Sequence, residues 1–380
     1  MRKSTLAMVA GLAAGASSAA LATDASRAPF GTLPGGEAVE AVTLANHHGM
    51  KAKIITYGAS IQSLYVPDRH GQAADVALGY PTLDLYLSQP QYFGSTVGRV
   101  ANRIAAGRFT LDGKTYQVPV NNGPNSLHGG TKGFDKVVWQ IVAMNSGPSA
   151  SVTLRYVSPD GDMGYPGTLT VTATYALDEA NKLSVEYKAT TDRPTLVNIS
   201  NHAYWNLRGE GSADGAMGHL LTIPAQYYTP TDATAIPTGE LRPVQGTVFD
   251  FRKATAIGAR VRDVSDRQIL FGKGYDHNWV VARTLSRTPR LLARVEEPGS
   301  GRVMEILSNQ PGIQFYSGNF LDATTSGKAG QLYRQGDAIV LEPQMFPDTP
   351  NRPEFGSVRL DPGATYRNII IWQFSTSAGR

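Results

Sequence analysis

A histidine and a glutamate far apart in the chain carry the strongest chemical signal. His202 stands in VNISNHAYWNL (197–207), among asparagines and aromatic residues, and its imidazole can exchange a proton near neutral pH. Glu342 stands in LEPQMFPDTPN (341–351), directly after the apolar run 338–341. Both fall near the end of a segment that reads as a buried strand. A polar residue in such a place is costly unless it is paired or used, so the two are candidates for one acid and one base. A glutamate ionised at neutral pH suits the base, and a histidine with an ordinary pKa of about 6.5 suits the acid.

Further segments mix Asn, Asp, Arg or His with glycine or an aromatic residue: GRVANRI (98–104), NSLHGG (125–130), GYDHNWV (274–280) and GIQFYSGNF (312–320). That mixture suits a sugar, whose hydroxyls need polar partners and whose apolar ring faces stack on aromatic side chains. Asp276 beside His277 raises the question of a metal, but no HxH or HxxxH pair completes a ligand set, so no metal is expected. His277 is either a residue that orients Asp276 or a satisfied core histidine. His47, His48, His70 and His219 lie in turn-like contexts without partner motifs and are expected at the surface.

The ordered set GRVANRI, LHGG, SNHAYWNL, YDHNWV, GIQFYSGNF and LEPQMFPDTPN resembles the aldose 1-epimerase (galactose mutarotase) family, from about Val39 to Phe374. The resemblance implies a large antiparallel β-supersandwich and substrate contacts from Asn102, Arg103, His128, Tyr204, Asp276 and Gln314. It implies His202 as general acid and Glu342 as general base, with no cofactor and a small-molecule aldose as partner. The chemistry agrees. Interconverting α and β anomers requires a proton to leave the anomeric hydroxyl while another reaches the ring oxygen, so one base and one acid suffice. Trp205, where phenylalanine is expected, and Met345 with Phe346 depart from the family pattern and are expected to reshape the sugar subsite.

The elements that must present these residues read as strands. Forty glycines and 23 prolines leave few long stretches free of breakers. SVTLRYVS (151–158), TLTVTATYAL (168–177) and KLSVEYKATT (182–191) alternate apolar and polar residues and form a meander. The same period runs through 52–66, 290–298 and 302–309, and the apolar strand 368–375 closes the chain. Residues 81–89 are the best candidate for a short helix. No repeat or charge block marks a boundary, so residues 23–380 read as a single all-β domain.

Residues 1–22 read as a secretory signal peptide, with Arg2 and Lys3 before an apolar stretch and Ala20-Leu21-Ala22 as cleavage pattern. Export to a periplasm is the expectation, with no membrane span in the mature chain. The absence of cysteine permits an oxidising destination without demonstrating it. The formal charge of +4 falls to +2 once Arg2 and Lys3 are removed. Scattered basic residues give nucleic acid no electrostatic footprint. A sugar-phosphate mutarotase would need a cluster of Arg and Lys, where only Arg103 stands in a motif. A glycosidase would need two carboxylates across the scissile bond. A non-catalytic sugar-binding module would have no use for the acid and base together.

Overall fold

Alternation sets the architecture. In the strand Leu169–Asp178 every second residue is buried, from Leu169 through Val171, Ala173 and Tyr175 to Leu177, because successive side chains of a strand point to opposite faces. The computed structural model describes residues 23–378, so the leader lies outside the described residues.

The meander Ser149–Ser158, Leu169–Asp178 and Lys182–Thr191 forms one half of a nine-stranded antiparallel sheet. The last strand, Tyr366–Thr376, enters between Lys182–Thr191 and Arg302–Ser308 and joins the two halves. A second sheet of six strands is ordered Tyr204–Trp205, Ile339–Gln344, Gly312–Tyr316, Asp276–Val280, Tyr227–Thr229 and Arg242–Pro243. A third sheet of five strands covers Asp24 to Asp75. One apolar cluster takes residues from all three, including Val171 and Ile306, Phe315 and Leu341, Leu44 and Ile61. Trp205 and Trp372 meet across the sheets at 5.6 Å between ring centroids.

Two details differ from the sequence reading. Residues 52–66 are two strands, Lys51–Ile55 and Ser60–Pro67. Between them Gly58 takes a positive φ of 68°, and a Cβ there would meet the Asp135 carbonyl oxygen at 2.7 Å, so the apolar run must fold back. The helix expected at 81–89 spans Leu83–Ser88, and a second, Arg267–Gly272, starts at Asp266, whose side chain accepts from the Gln268 amide.

Candidate active site

The six-stranded sheet sorts its residues by register. Glu342 pairs with Gln314, and Gln314 with Asn278. One rung away, Tyr204 pairs with Val340, Val340 with Tyr316, and Tyr316 with Asp276. Directly paired residues share a face, so Tyr204, Tyr316, Asp276, Gln314 and Glu342 all stand on the same side. Their chain neighbours Trp205, Phe315, His277 and Leu341 therefore stand on the other, in the apolar core or against it.

Loops bring the remaining groups over that polar face. The strand Ser200–His202 pairs with Ser95–Val97 and carries His202 to the rim of the sheet. Arg103 pairs with Leu127, which sets Arg103 beside His128. His128, Gly129 and Gly130 follow with positive φ, and a Cβ on Gly129 would lie 2.1 Å from the Gly98 carbonyl oxygen. Glycine after the histidine is thus a steric demand. Together these elements enclose a cavity of about 200 Å³, lined by Asn102, Arg103, His128, His202, Tyr204, Asp276 and Glu342 and also by Gln91, Tyr92, Asn122, Leu127, Tyr316 and Phe320.

At its base His202 Nε2 lies 3.9 Å from Glu342 Oε2. That is too long for a hydrogen bond, and Glu342 Oε1 has no hydrogen-bond partner among the described residues. Both side chains are buried, and burial acts against charge on each. It lowers the His202 pKa to about 3. It raises the Glu342 carboxyl well above the usual range, with Asp276 adding to the rise and Arg103 opposing it. The sequence reading of an ordinary histidine facing an ionised glutamate is therefore corrected. Burial holds the imidazole neutral and pushes the carboxyl toward its protonated form.

Polar groups ring this pair. Arg103 Nε donates to Asn122 Oδ1 at 2.9 Å, and its Nη2 lies 3.6 Å from Asp276 Oδ2. Gln314 Nε2 donates to Asp276 Oδ1 at 2.8 Å, so Gln314 reaches the cavity through Asp276 and does not line it. Asn102, at φ 61°, donates its backbone N–H to His128 Nδ1 at 3.1 Å. That bond leaves the proton of a neutral His128 on Nε2, as a donor. At the mouth Phe320 is 52% exposed and lies parallel to Tyr316 at 6.0 Å, offering an aromatic face to an entering ring.

The family model for aldose 1-epimerase matches residues 40–373. The chain belongs to the aldose 1-epimerase family. It is therefore an isomerase that interconverts the anomers of aldoses. A galactose mutarotase from Rattus norvegicus is 46% identical over 352 residues, which are 92% of this chain and 98% of that protein. An aldose 1-epimerase from Escherichia coli is 37% identical over 343 residues, 90% and 96% of the two. Among solved structures, a galactose 1-epimerase from Lactobacillus acidophilus superposes with a TM-score of 0.82 at 29% identity, covering 93% of this chain and 99% of that one.

Several residues fall differently from the aldose 1-epimerase pattern read in the sequence. Trp205, Met345 and Phe346 do not line the cavity. Trp205 packs on Trp372 and Phe374, Met345 beside Val100 and Val358, and Phe346 against Phe355. His277 is both things considered for it. Its Nδ1 accepts from the Asp276 amide, and its ring lies in the core with Nε2 3.0 Å from Gln268 Oε1. His219 is buried, not exposed, because its Nε2 accepts the Leu207 amide proton at 2.8 Å. Tyr92 and Asn122 were missed. Asn122 stood just outside a motif, in the turn that leads into NSLHGG, and Tyr92 stood in the segment upstream of GRVANRI, where no motif marks it.

His128, His202 and Glu342 each place a potential ligand atom within 4.8 Å of the others. A metal would need the free imidazole lone pair of His128. With Nδ1 already accepting from Asn102, neutral His128 carries its proton on Nε2 and has no lone pair left to give. The donor set fits a sugar oxygen better than a cation.

Proposed function

We propose that this pocket interconverts the α and β anomers of free aldohexoses such as glucose and galactose, with Glu342 as base and His202 as acid. One observation carries the reading: the facing pair His202 Nε2 and Glu342 Oε2, 3.9 Å apart in a cavity whose lining also includes the hydroxyl-binding groups Asn102, Arg103, His128 and Asp276.

The anomeric hydroxyl gives its proton to the Glu342 carboxylate while His202 protonates the ring oxygen, and the bond from C1 to that oxygen breaks. The open aldehyde turns about C1–C2, and closure reverses the transfers: the C5 hydroxyl gives a proton back to His202 as its oxygen attacks C1, and Glu342 returns its proton to the aldehyde oxygen. The raised pKa makes Glu342 a stronger base, and the lowered one makes protonated His202 a stronger acid, so burial sharpens both steps. Together the pair needs one proton. The productive arrangement is carboxylate with imidazolium. Asp276 and Arg103 hold hydroxyls through charge-assisted hydrogen bonds, with His128 donating.

Arg103 is the one arginine or lysine among the residues lining the cavity, which favours a free sugar over a sugar phosphate. Asp276 is already engaged by Gln314 and Arg103, which disfavours it as the second carboxylate of a glycosidase. Polarimetry of freshly dissolved α-D-glucose and α-D-galactose is the test. Enzyme should speed the approach to equilibrium rotation of at least one of them, and no acceleration of either would reject the assignment.

Export belongs to the same proposal, supported by Arg2, Lys3 and Ala20-Leu21-Ala22, with a periplasm as destination. N-terminal sequencing of exported protein should start at or near Thr23. Finding Met1 retained would refute it. No helix among the described residues is long and apolar enough to cross a membrane.

A further inference from the structure

Tyr92 has no part in the proton transfers above, yet its ring closes a triangle with both histidines. Its centroid lies 4.6 Å from that of His128 and 5.3 Å from that of His202, and the two imidazoles are 5.1 Å apart. Tyr204 lies 5.1 Å from His202. Both tyrosines are tilted to the His202 ring, by 39° and 42°, in neither case edge-on at a right angle.

This packing bears on a difficulty that the pocket creates for itself. The acid step needs an imidazolium, and burial resists one. Among the charged and titratable surroundings of His202, Glu342 at 3.9 Å is the one group whose carboxylate faces the imidazolium directly, and its charge is neutralised by the anomeric proton as the reaction proceeds. Arg103 and Asp276 are engaged with each other, and His128 holds its proton as a donor. Tyr316, with its ring 6.5 Å away, is a neutral phenol. Behind Tyr92, Asp135 and Lys136 pair at 2.8 Å, with Lys136 Nζ 5.3 Å from the Tyr92 ring. The two tyrosine rings remain, tilted with centroids 5.3 and 5.1 Å from that of His202, and a cation within about 6 Å of the face of such a ring is attracted to it.

We infer that Tyr92 is a positioning residue for the reaction, its ring together with that of Tyr204 stabilising the imidazolium of His202 at the moment of proton transfer. The inference rests on the reading of His202 as acid. Tyr92 acts through the histidine, by the charge distribution of its ring. Its hydroxyl, held protonated by burial, is not required.

Phenylalanine, then phenylalanines carrying one, two and three ring fluorines, placed at position 92 test this, because fluorine drains the ring face while nearly keeping its shape. Tyr92→Phe should hold kcat within about 3-fold of wild type. Tyr92→Leu should lower kcat by roughly 2- to 30-fold with a smaller change in KM, which is the range expected for a lost cation–π contact. Through the fluorinated series kcat should fall step by step, and the His202 pKa, read by ¹⁵N NMR of the imidazole, should fall in the same order. The series decides the matter even where the leucine variant fails to fold. A flat series would overturn the proposal, and so would a phenylalanine variant as impaired as the leucine one. His202→Asn separates this from failure of the underlying reading: if that variant keeps wild-type kcat, the acid assignment is what has failed.

Discussion

The two faces of the six-stranded sheet are made by the same strands and differ in almost everything else. On one side Phe315, Trp279 and Leu341 are fully or almost fully buried in a shared apolar cluster. On the other, alternate residues of the same strands put Glu342, Gln314 and Asp276 beside a cavity, with buried polar atoms such as Glu342 Oε1 and Gln314 Oε1 lacking a partner among the described residues. Unpartnered buried groups cost stability. The core face supplies stability and rigidity, and the pocket face spends part of it to hold proton-transfer groups away from water. Asp276 and His277 show how sharp the division is, since one residue of chain separates a cavity-lining carboxylate from a histidine in aromatic packing.

Truncation of the core face should break the comparison most severely. Phe315→Ala removes a ring packed on Phe251, Tyr275 and Trp279, and should cost about 3–5 kcal/mol in denaturant unfolding. The folded fraction should keep a KM near wild type. A large KM change with unaltered stability would mean that the two faces are not separate in function.

On the pocket face, Asp276→Ala should do the reverse. Charge-assisted hydrogen bonds are worth about 1.5–3 kcal/mol, so KM should rise and turnover fall while the melting temperature changes little. Wild-type kinetics in a folded Asp276→Ala enzyme would remove this residue from the site. Gln314→Leu, which frees Asp276 from its 2.8 Å bond, should give the same changes on a smaller scale.

Acid should expose the stability cost of the buried histidines. Burial lowers His202 and His277 to about 3 and His219 to about 4, and it depresses His128 as well. Below an unfolded pKa of about 6.5 the unfolded chain takes up protons that the folded one refuses, so stability is lost as pH falls from there. Glu342 has the opposite sign. Its folded pKa is raised, so its contribution to stability is lost as pH rises from about 4.5 through that raised value. Thermal melts from pH 7.5 down to pH 4.5 should show a falling melting temperature, and a flat profile would contradict the neutral, buried state assigned to these imidazoles.

The sequence made the strand pattern and the eight proposed site residues legible for different reasons. Period-two alternation in 168–177 and 182–191 is local and needs no tertiary knowledge. The motif segments stood out because polar groups beside glycine and aromatics are unusual in strand-like sequence, and the resemblance to the aldose 1-epimerase family singled out the substrate-contact residues within them. Seven of the eight line one cavity, with Gln314 behind Asp276. What stayed hidden depends on contacts made at long range. Nothing near Tyr92 announces that its ring will meet His128 and His202, and nothing near His219 announces that the Leu207 amide will reach it. The shifts in pKa stayed hidden for the same reason, since burial in the assembled pocket lowers that of His202 and raises that of Glu342. The orientation of Trp205 could have been read from its place next to Tyr204, because neighbours on a strand face opposite ways.

The central claim is that His202 and Glu342 act as one proton-transfer unit, and a double-variant comparison of α-D-galactose mutarotation tests it most directly. Glu342→Gln and His202→Asn should each lower kcat by at least about 10²-fold, and the double variant should be scarcely slower than either. Glu342→Gln should also melt no lower than wild type at neutral pH, since it replaces a buried acid whose Oε1 has no hydrogen-bond partner among the described residues. A folded Glu342→Gln enzyme as fast as wild type, or a double variant slower by the product of the two single losses, would contradict the account.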